Sequence, residues 1–250
     1  MLFQTIVLVL SCSVVIIAAG KGPTGLPTYI KPCNANDPEL NKCFAEHAKE
    51  AVPFLVKGDK KYNVHALDPL FLERVDLRPN NQIILKLQKV KILGLGGLKI
   101  KEANVDLKKR HIKLTMSVSK LDVFAQYNMS GQIRVIPIHG QGPMEIKFTD
   151  ANLVYAFDYN LEVRKDSKTY LGDIKPSIDF QVKSAHFLFG NLFDGNKQIS
   201  DSTHEVLNKN WQDVMNIFGD PIAECIQEIA TTLIKALLYP VSFDKIFSTN

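Results

Sequence analysis

The stretch SDSTHEVLNKNWQDVMNIFGDPIAECIQEIATTLIKALLY, residues Ser200–Tyr239, decides the fold. Leu207, Trp211, Val214, Phe218, Ile222, Ile226, Ile229, Leu233 and Leu237 recur in it at three- or four-residue steps. That spacing puts them on one face of an α-helix. Unbroken, the helix runs roughly 55–60 Å at ~1.5 Å per residue. Asp201, Ser202 or Thr203 can cap its start, and Pro240 stops it. Pro221 removes a backbone donor in mid-run, so the sequence predicts a kink there. Beyond Ile222 the apolar surface widens through Ala223, Cys225, Ala230, Ile234, Ala236 and Leu238. A helix apolar on several sides has to be enclosed.

Working outward, the rest of the chain reads as the enclosure. A short helix opens at Asp37-Pro38-Glu39, with Asp37 as its cap and Leu40, Phe44, Ala48 and Ala51 on one face, and Pro53 is expected to end it. Asp68-Pro69-Leu70-Phe71 leads into a first strand, followed by a turn at Arg78–Asn81. From Ile83 the apolar period is two, with a phase slip near Gln88 and another between Ile100 and Val105; such slips read as β-bulges. Separate strands are expected over 112–118, 121–127, 144–148, 153–163 and 178–182. Phe124 is the exception to the alternation in its strand. The turns are expected at Lys108–His111, Ser119-Lys120, Gly140–Pro143 and Lys165–Lys168, and short connections make neighbours antiparallel. Seven or more long strands, bulged and apolar on one face, curl around the C-terminal helix. The expected class is α+β: a long C-terminal helix wrapped by a highly curved antiparallel sheet, one domain over residues 21–250.

The chain has 250 residues, 46% of them hydrophobic, and a net charge of +4, too mild to argue for nucleic acid. Residues 1–20 carry no charge, and Ala18-Ala19-Gly20 precedes Lys21 as a small-residue cleavage site, which reads as a secretory signal peptide; the rival is a retained membrane anchor. After removal of that segment no stable membrane insertion is expected, and the protein is placed outside the cell. Cys12 leaves with the leader, and Cys33, Cys43 and Cys225 stay. Cys33 and Cys43 lie ten residues apart in a secreted context, which points to a disulfide closing a short loop. Cys225, on the apolar helix, reads as a small buried hydrophobe, with pairing to either other cysteine left open.

One curved sheet around one helix is hard to fill without a gap. The inward phases carry Met116, Tyr127, Met144, Ile146, Phe148, Tyr155, Phe157, Tyr159 and Phe180, and the helix adds Trp211, Met215 and Phe218. An aromatic and methionine lining suits an adaptable lipid pocket, so these twelve are the candidate ligand-binding residues. A ligand burying ~15 methylene equivalents gains roughly 12 kcal/mol at ~0.8 each, of which association takes back ~4 or more. Asn128-Met-Ser is a glycosylation sequon on the polar phase of its strand.

Taken together, several motifs resemble one family. They are Cys33…Cys43, Leu67-Asp68-Pro69-Leu70, the Gly94–Leu98 turn and the strand 133–138 with its proline and a following Gly-x-Gly. Thr169-Tyr170-Leu171, Asn191-Leu192-Phe193-Asp194-Gly195 and Asn208-Lys209-Asn210-Trp211 complete the set. In that order they resemble the takeout and juvenile hormone-binding proteins of insects. The resemblance spans essentially the whole mature chain. It implies a long helix in a rolled antiparallel sheet, an elongated tunnel for a hydrophobic ligand, and a Cys33–Cys43 disulfide. The hormone-binding branch carries a second disulfide from the sheet; with only Cys225 remaining, this chain sits nearer the takeout branch.

The expected function is therefore a secreted, monomeric carrier of a small hydrophobic ligand such as a fatty acyl chain, an isoprenoid or a juvenile-hormone-like lipid. It needs no cofactor and no metal, and a cell-surface receptor is a conceivable partner. An ester hydrolase finds little support: there is no Gly-x-Ser-x-Gly elbow, and His47, His65, His111, His139, His186 and His204 are scattered. Gly94-Leu-Gly-Gly follows a bulged strand and reads as a tight turn, not a phosphate loop. The basic clusters Lys60-Lys61, Lys99/Lys101 and Lys108-Lys109-Arg110 leave a surface-active protein as the alternative.

Overall fold

A computed structural model describes Pro23 and residues 25–80, 83–133 and 136–249. The expected leader over 1–20, with Cys12, lies outside them, as do Asn81 of the expected turn and residues 134–135 of the expected 133–138 strand. In chain order the elements are β1 (Cys33–Asn34), α1 (Leu40–Lys57), β2 (Leu70–Asn80), β3 (Ile83–Leu93), β4 (Lys99–Asp106), β5 (His111–Ile133) and β6 (Ile136–Val163). They continue with β7 (Thr169–Gln181), β8 (Ser184–Phe189), α2 (Lys197–Lys209), α3 (Trp211–Leu238), α4 (Phe243–Ile246) and β9 (Phe247–Ser248).

The spine is the antiparallel pair β5–β6. It keeps a single register from His111↔Asp158 to Ile133↔Ile136. At ~3.3 Å per residue, the 23 residues of β5 trace roughly 75 Å. The strands expected separately over 112–118 and 121–127 are thus one, and so are those over 144–148 and 153–163; Ser119-Lys120 and Gly140–Pro143 are not turns. The glycines serve close approach instead. A Cβ on Gly140 would come within 2.7 Å of the Tyr127 hydroxyl, and one on Gly142 within 2.7 Å of the Gly190 carbonyl oxygen.

The remaining strands divide between the two ends of the spine. Near the hairpin tip β3 pairs with β5 and carries β2 beyond it, while β8 pairs with residues 144–149 of β6. Toward the open end β4 pairs with residues 111–117 of β5, and β7 pairs with residues 152–163 of β6. The two phase slips of the sequence are real: register shifts fall between Gln88 and Lys91, where Lys89 takes φ 51°, and between Ile100 and Glu102. The sheet path runs β2-β3-β5-β6-β7, and α3 lies against both its outer strands, β2 and β7. The helix thereby occupies the seam of an unclosed roll.

The C-terminal run breaks where the sequence did not indicate. Asn210, at φ −111° and ψ 39°, separates α2 from α3, and its side-chain amide donates to the Val206 carbonyl at 2.8 Å. α3 continues through the buried Pro221 for 28 residues, about 42 Å. The cap of α2 is Asn196, which accepts from the Ile199 N–H, in place of Asp201, Ser202 or Thr203. α1 likewise passes through Pro53 and ends at Lys57. At the far end of α3, Arg164 donates to the Tyr239 carbonyl at 2.8 Å while lying 4.1 Å over the Tyr170 ring, so the Thr169–Leu171 motif holds a helix terminus. α2 covers β8: Asn208 exchanges hydrogen bonds with both backbone groups of Phe187, and the Phe189 N–H donates to His204 Nε2.

Two family motifs meet through one carboxylate. Asp68 accepts from the backbone N–H of Gly94 at 3.2 Å and of Gly96 at 2.7 Å, fixing the Gly94–Leu98 turn against the Leu67–Leu70 segment. Cys33 and Cys43 form the disulfide, β1 pairs in parallel with β9, and Cys225 is buried in α3. The N- and C-terminal segments are thus fastened together at the open end of the spine.

Candidate functional site

A chamber of about 220 Å³ lies at that fastened end. α1 supplies one wall with Phe44, Ala48, Ala51, Val52 and Leu55. Their spacing is the apolar stripe of an amphipathic helix, here facing an open volume. The sheet supplies Ile100 from β4, Leu114 and Met116 from β5, and Tyr155 from β6. α3 closes the third side with Ala230, Leu233, Ile234 and Leu237, and Leu26 and Ile30 of the N-terminal segment complete it. Three wall residues on the helices are alanines, and small side chains there leave the space unfilled.

Few polar groups reach this lining. His47 Nδ1 lies 3.1 Å from the Lys31 carbonyl oxygen and 3.3 Å from Cys33 Sγ. The carbonyl can only accept, so Nδ1 carries a proton toward it and Nε2 is the ring nitrogen that remains. Tyr155 Oη shares a 2.9 Å hydrogen bond with Thr231 Oγ1, and burial raises the phenol above its ordinary pKa. Cys33, Cys43 and His47 bring three metal-type atoms within 4.8 Å of one another, but both sulfurs belong to the disulfide and offer no thiolate.

The opposite end of the spine is closely packed among the described residues. A gap of about 30 Å³ remains there among Leu85, Met129, Ile138, Phe187, Phe189 and Leu207. Of the twelve residues singled out in the sequence, Met116 and Tyr155 line the chamber, while Ile146, Met215 and Phe218 line this small gap. Tyr127, Met144, Phe148 and Phe180 pack in the same tip-end core. Tyr127 Oη donates to the Gly190 carbonyl at 2.9 Å, and burial, helped by Asp194, pushes its phenol up to about 12. Phe148 meets Phe180 edge-on at 5.9 Å. Trp211 is half-buried against that core at the start of α3.

Phe157 and Tyr159 pack beside the chamber in a run of rings, Tyr155–Phe157–Tyr159–Phe243–Phe247. Burial pushes Tyr159 up to about 12, and its hydroxyl has no hydrogen-bond partner among the described residues. Asn128 is exposed on the outward phase of β5, its amide donating to Gln141 Oε1 at 3.3 Å. The sequence did not mark α1 as a chamber wall. The signal was present in the Phe44, Ala48, Ala51 stripe, whose small residues on a lone amphipathic helix leave room against whatever they face.

The chain and its fold have relatives among known proteins. The family described as haemolymph juvenile hormone binding protein matches residues 6–248. The circadian clock-controlled protein daywake of Drosophila melanogaster is 25% identical over 234 residues, covering 89% of this chain and 88% of that protein. The Drosophila yakuba protein of the same name is 25% identical over 237 residues, covering 90% of each. The crystal structure of Epiphyas postvittana Takeout 1 superposes with a TM-score of 0.78 at 29% identity, covering 88% of this chain and 100% of that one.

Proposed function

Because the chain belongs to the haemolymph juvenile hormone binding protein family, we propose that it is a secreted carrier of a small hydrophobic ligand held between α1, β4–β6 and the second half of α3. The chamber of about 220 Å³ carries this reading. An apolar surface gains free energy by exchanging water for hydrocarbon, at ~0.8 kcal/mol per methylene. An ionised group in that lining would be left without partners and would cost heavily. The volume is below the ~300–1,000 Å³ usual for drug-sized ligands, which favours one slim acyl or isoprenoid chain over a fused-ring molecule. His47 Nε2 and the Tyr155–Thr231 pair are the groups available to a polar end.

Purified protein from the medium of secreting cells is extracted and the extract analysed by mass spectrometry, alongside displacement of a fluorescent fatty acid. A stoichiometric lipid or a saturable displacement supports the carrier; neither in repeated preparations rejects it. Recovery from the medium also tests secretion, which the disulfide supports. On the same material, a mass loss with N-glycosidase that vanishes in Asn128→Gln tests sugar at Asn128.

A further inference from the structure

We propose that the outer side of the chamber's α1 wall is a docking surface for an anionic lipid bilayer. The proposal rests on the carrier reading for its purpose but not for its test. Leu55 and Val56 line the chamber, while Phe54 and Lys57, their neighbours on the same helical turn, face solvent. Phe54 is 51% exposed, and its ring stacks on Tyr29 at 5.0 Å with planes 5° apart. Beyond Lys57 the chain turns at Gly58, where φ is 81° and a Cβ would meet the Ala66 backbone at 2.6 Å. That turn brings Lys60 and Lys61 to the same patch as Phe54, because the Tyr29 hydroxyl donates to Asp59 at 3.1 Å.

The charges there do not cancel. Asp59, which accepts from the Tyr29 hydroxyl and the Lys61 N–H, offsets one of three lysines, and Glu50 pairs with Lys31 at 2.7 Å, so a net positive charge remains. Lys57, Lys60 and Lys61 are exposed, and no ion pair of theirs occurs among the described residues. Lys61 lies over the Tyr62 ring at 5.6 Å. An exposed ring, Phe54, on the same face as exposed lysines matches an anionic headgroup layer: the aromatic sits at its apolar boundary and the ammonium groups meet its phosphates and carboxylates. Among the described residues no helix is long and apolar enough to cross a membrane, so the contact is peripheral. The position gives it a use, since ligand entering or leaving past α1 would do so against lipid rather than water.

The test is co-sedimentation of the full mature protein with phosphatidylcholine vesicles, with and without about 30% phosphatidylserine. Wild-type protein is expected to bind only the anionic vesicles and to come off as salt rises from about 0.05 to about 0.5 M. Lys57→Ala/Lys60→Ala/Lys61→Ala is expected to lower partitioning about a hundredfold, and Phe54→Ala about fivefold. Lys108→Ala/Lys109→Ala/Arg110→Ala removes the same net charge elsewhere and is expected to change it less than about twofold. Wild-type protein that stays in the supernatant, or an equal loss in both triple variants, overturns the proposal. Fluorescent-lipid loading without vesicles reads the chamber separately. Loading without vesicle binding leaves the carrier and removes the docking surface, and the reverse does the opposite.

Discussion

The two ends of the β5–β6 spine share their strands and their seam helix, yet one is packed and the other hollow. At the tip, α3 presents Val214, Met215 and Phe218 to Phe187 and Phe189, leaving about 30 Å³. At the open end the same helix presents Ala230, Leu233 and Ile234 to Ala48 and Ala51 of α1, leaving about 220 Å³. The difference lies in side-chain volume as well as in the covering elements, α2 and β8 at the tip and α1 and β4 at the open end. Aromatic rings finish a core, and alanines opposite alanines leave one open. One end fills its interior, and the other leaves the space on which the proposed carrier role depends.

The division can be broken from the packed side first. Phe218→Ala is expected to cost about 3–5 kcal/mol in denaturant unfolding, because a buried ring leaves a void that rigid neighbours cannot close. Fluorescent-lipid affinity of the variant that remains folded should hold, and a large loss of affinity would merge the two ends into one tunnel. Next comes the fastening of the hollow end. Cys33→Ala/Cys43→Ala opens a short loop and is expected to cost about 2–3 kcal/mol. Hydrogen exchange should rise around α1 and β4 well before it rises around β8.

Filling the chamber is a smaller change in energy but a sharper one in function. Ala48→Leu with Ala230→Leu should lower lipid affinity at least about tenfold, roughly 1.4 kcal/mol, with little change in melting temperature. Unchanged affinity would move the ligand elsewhere. The smallest effect concerns Glu228, half-buried on α3, whose carboxyl is raised by burial. A raised acid favours the protonated form in the fold, so its penalty is absent below the unfolded pKa and grows as pH rises through the folded one. Glu228→Gln should therefore melt higher than wild type at about pH 7 and equal to it at about pH 4. A gain at both pH values would assign the effect to packing.

Much of the roll was readable in the residues, and the misses have physical causes. Period-two alternation gave the sheet, and its slips gave both bulges, because an extra residue in a strand shows directly as a change of phase. The extent of β5 and β6 was not readable: Gly140 and Gly142 look like a turn, but they are small because Tyr127 and Gly190 press on them. Pro221 is expected to kink the C-terminal run, and the helix continues through it because packing tolerates a lost amide bond; the interruption at Asn210 carries no comparable sequence signal. The candidate site was only partly readable for the same reason. Large rings on inward phases suggested a lining, and most of them finish cores instead; the empty space lies beside residues too small to attract notice, on a helix whose partner surface only tertiary structure reveals.

α3 packs against β2 and β7, the outer strands of the sheet path, whose margins would otherwise be open to pairing with another chain. Lifting it away would bare two adhesive margins at once and invite neighbouring molecules to zip on. α1 packs on β4, which pairs with β5 alone among the described strands, so that cover shields a strand margin of its own.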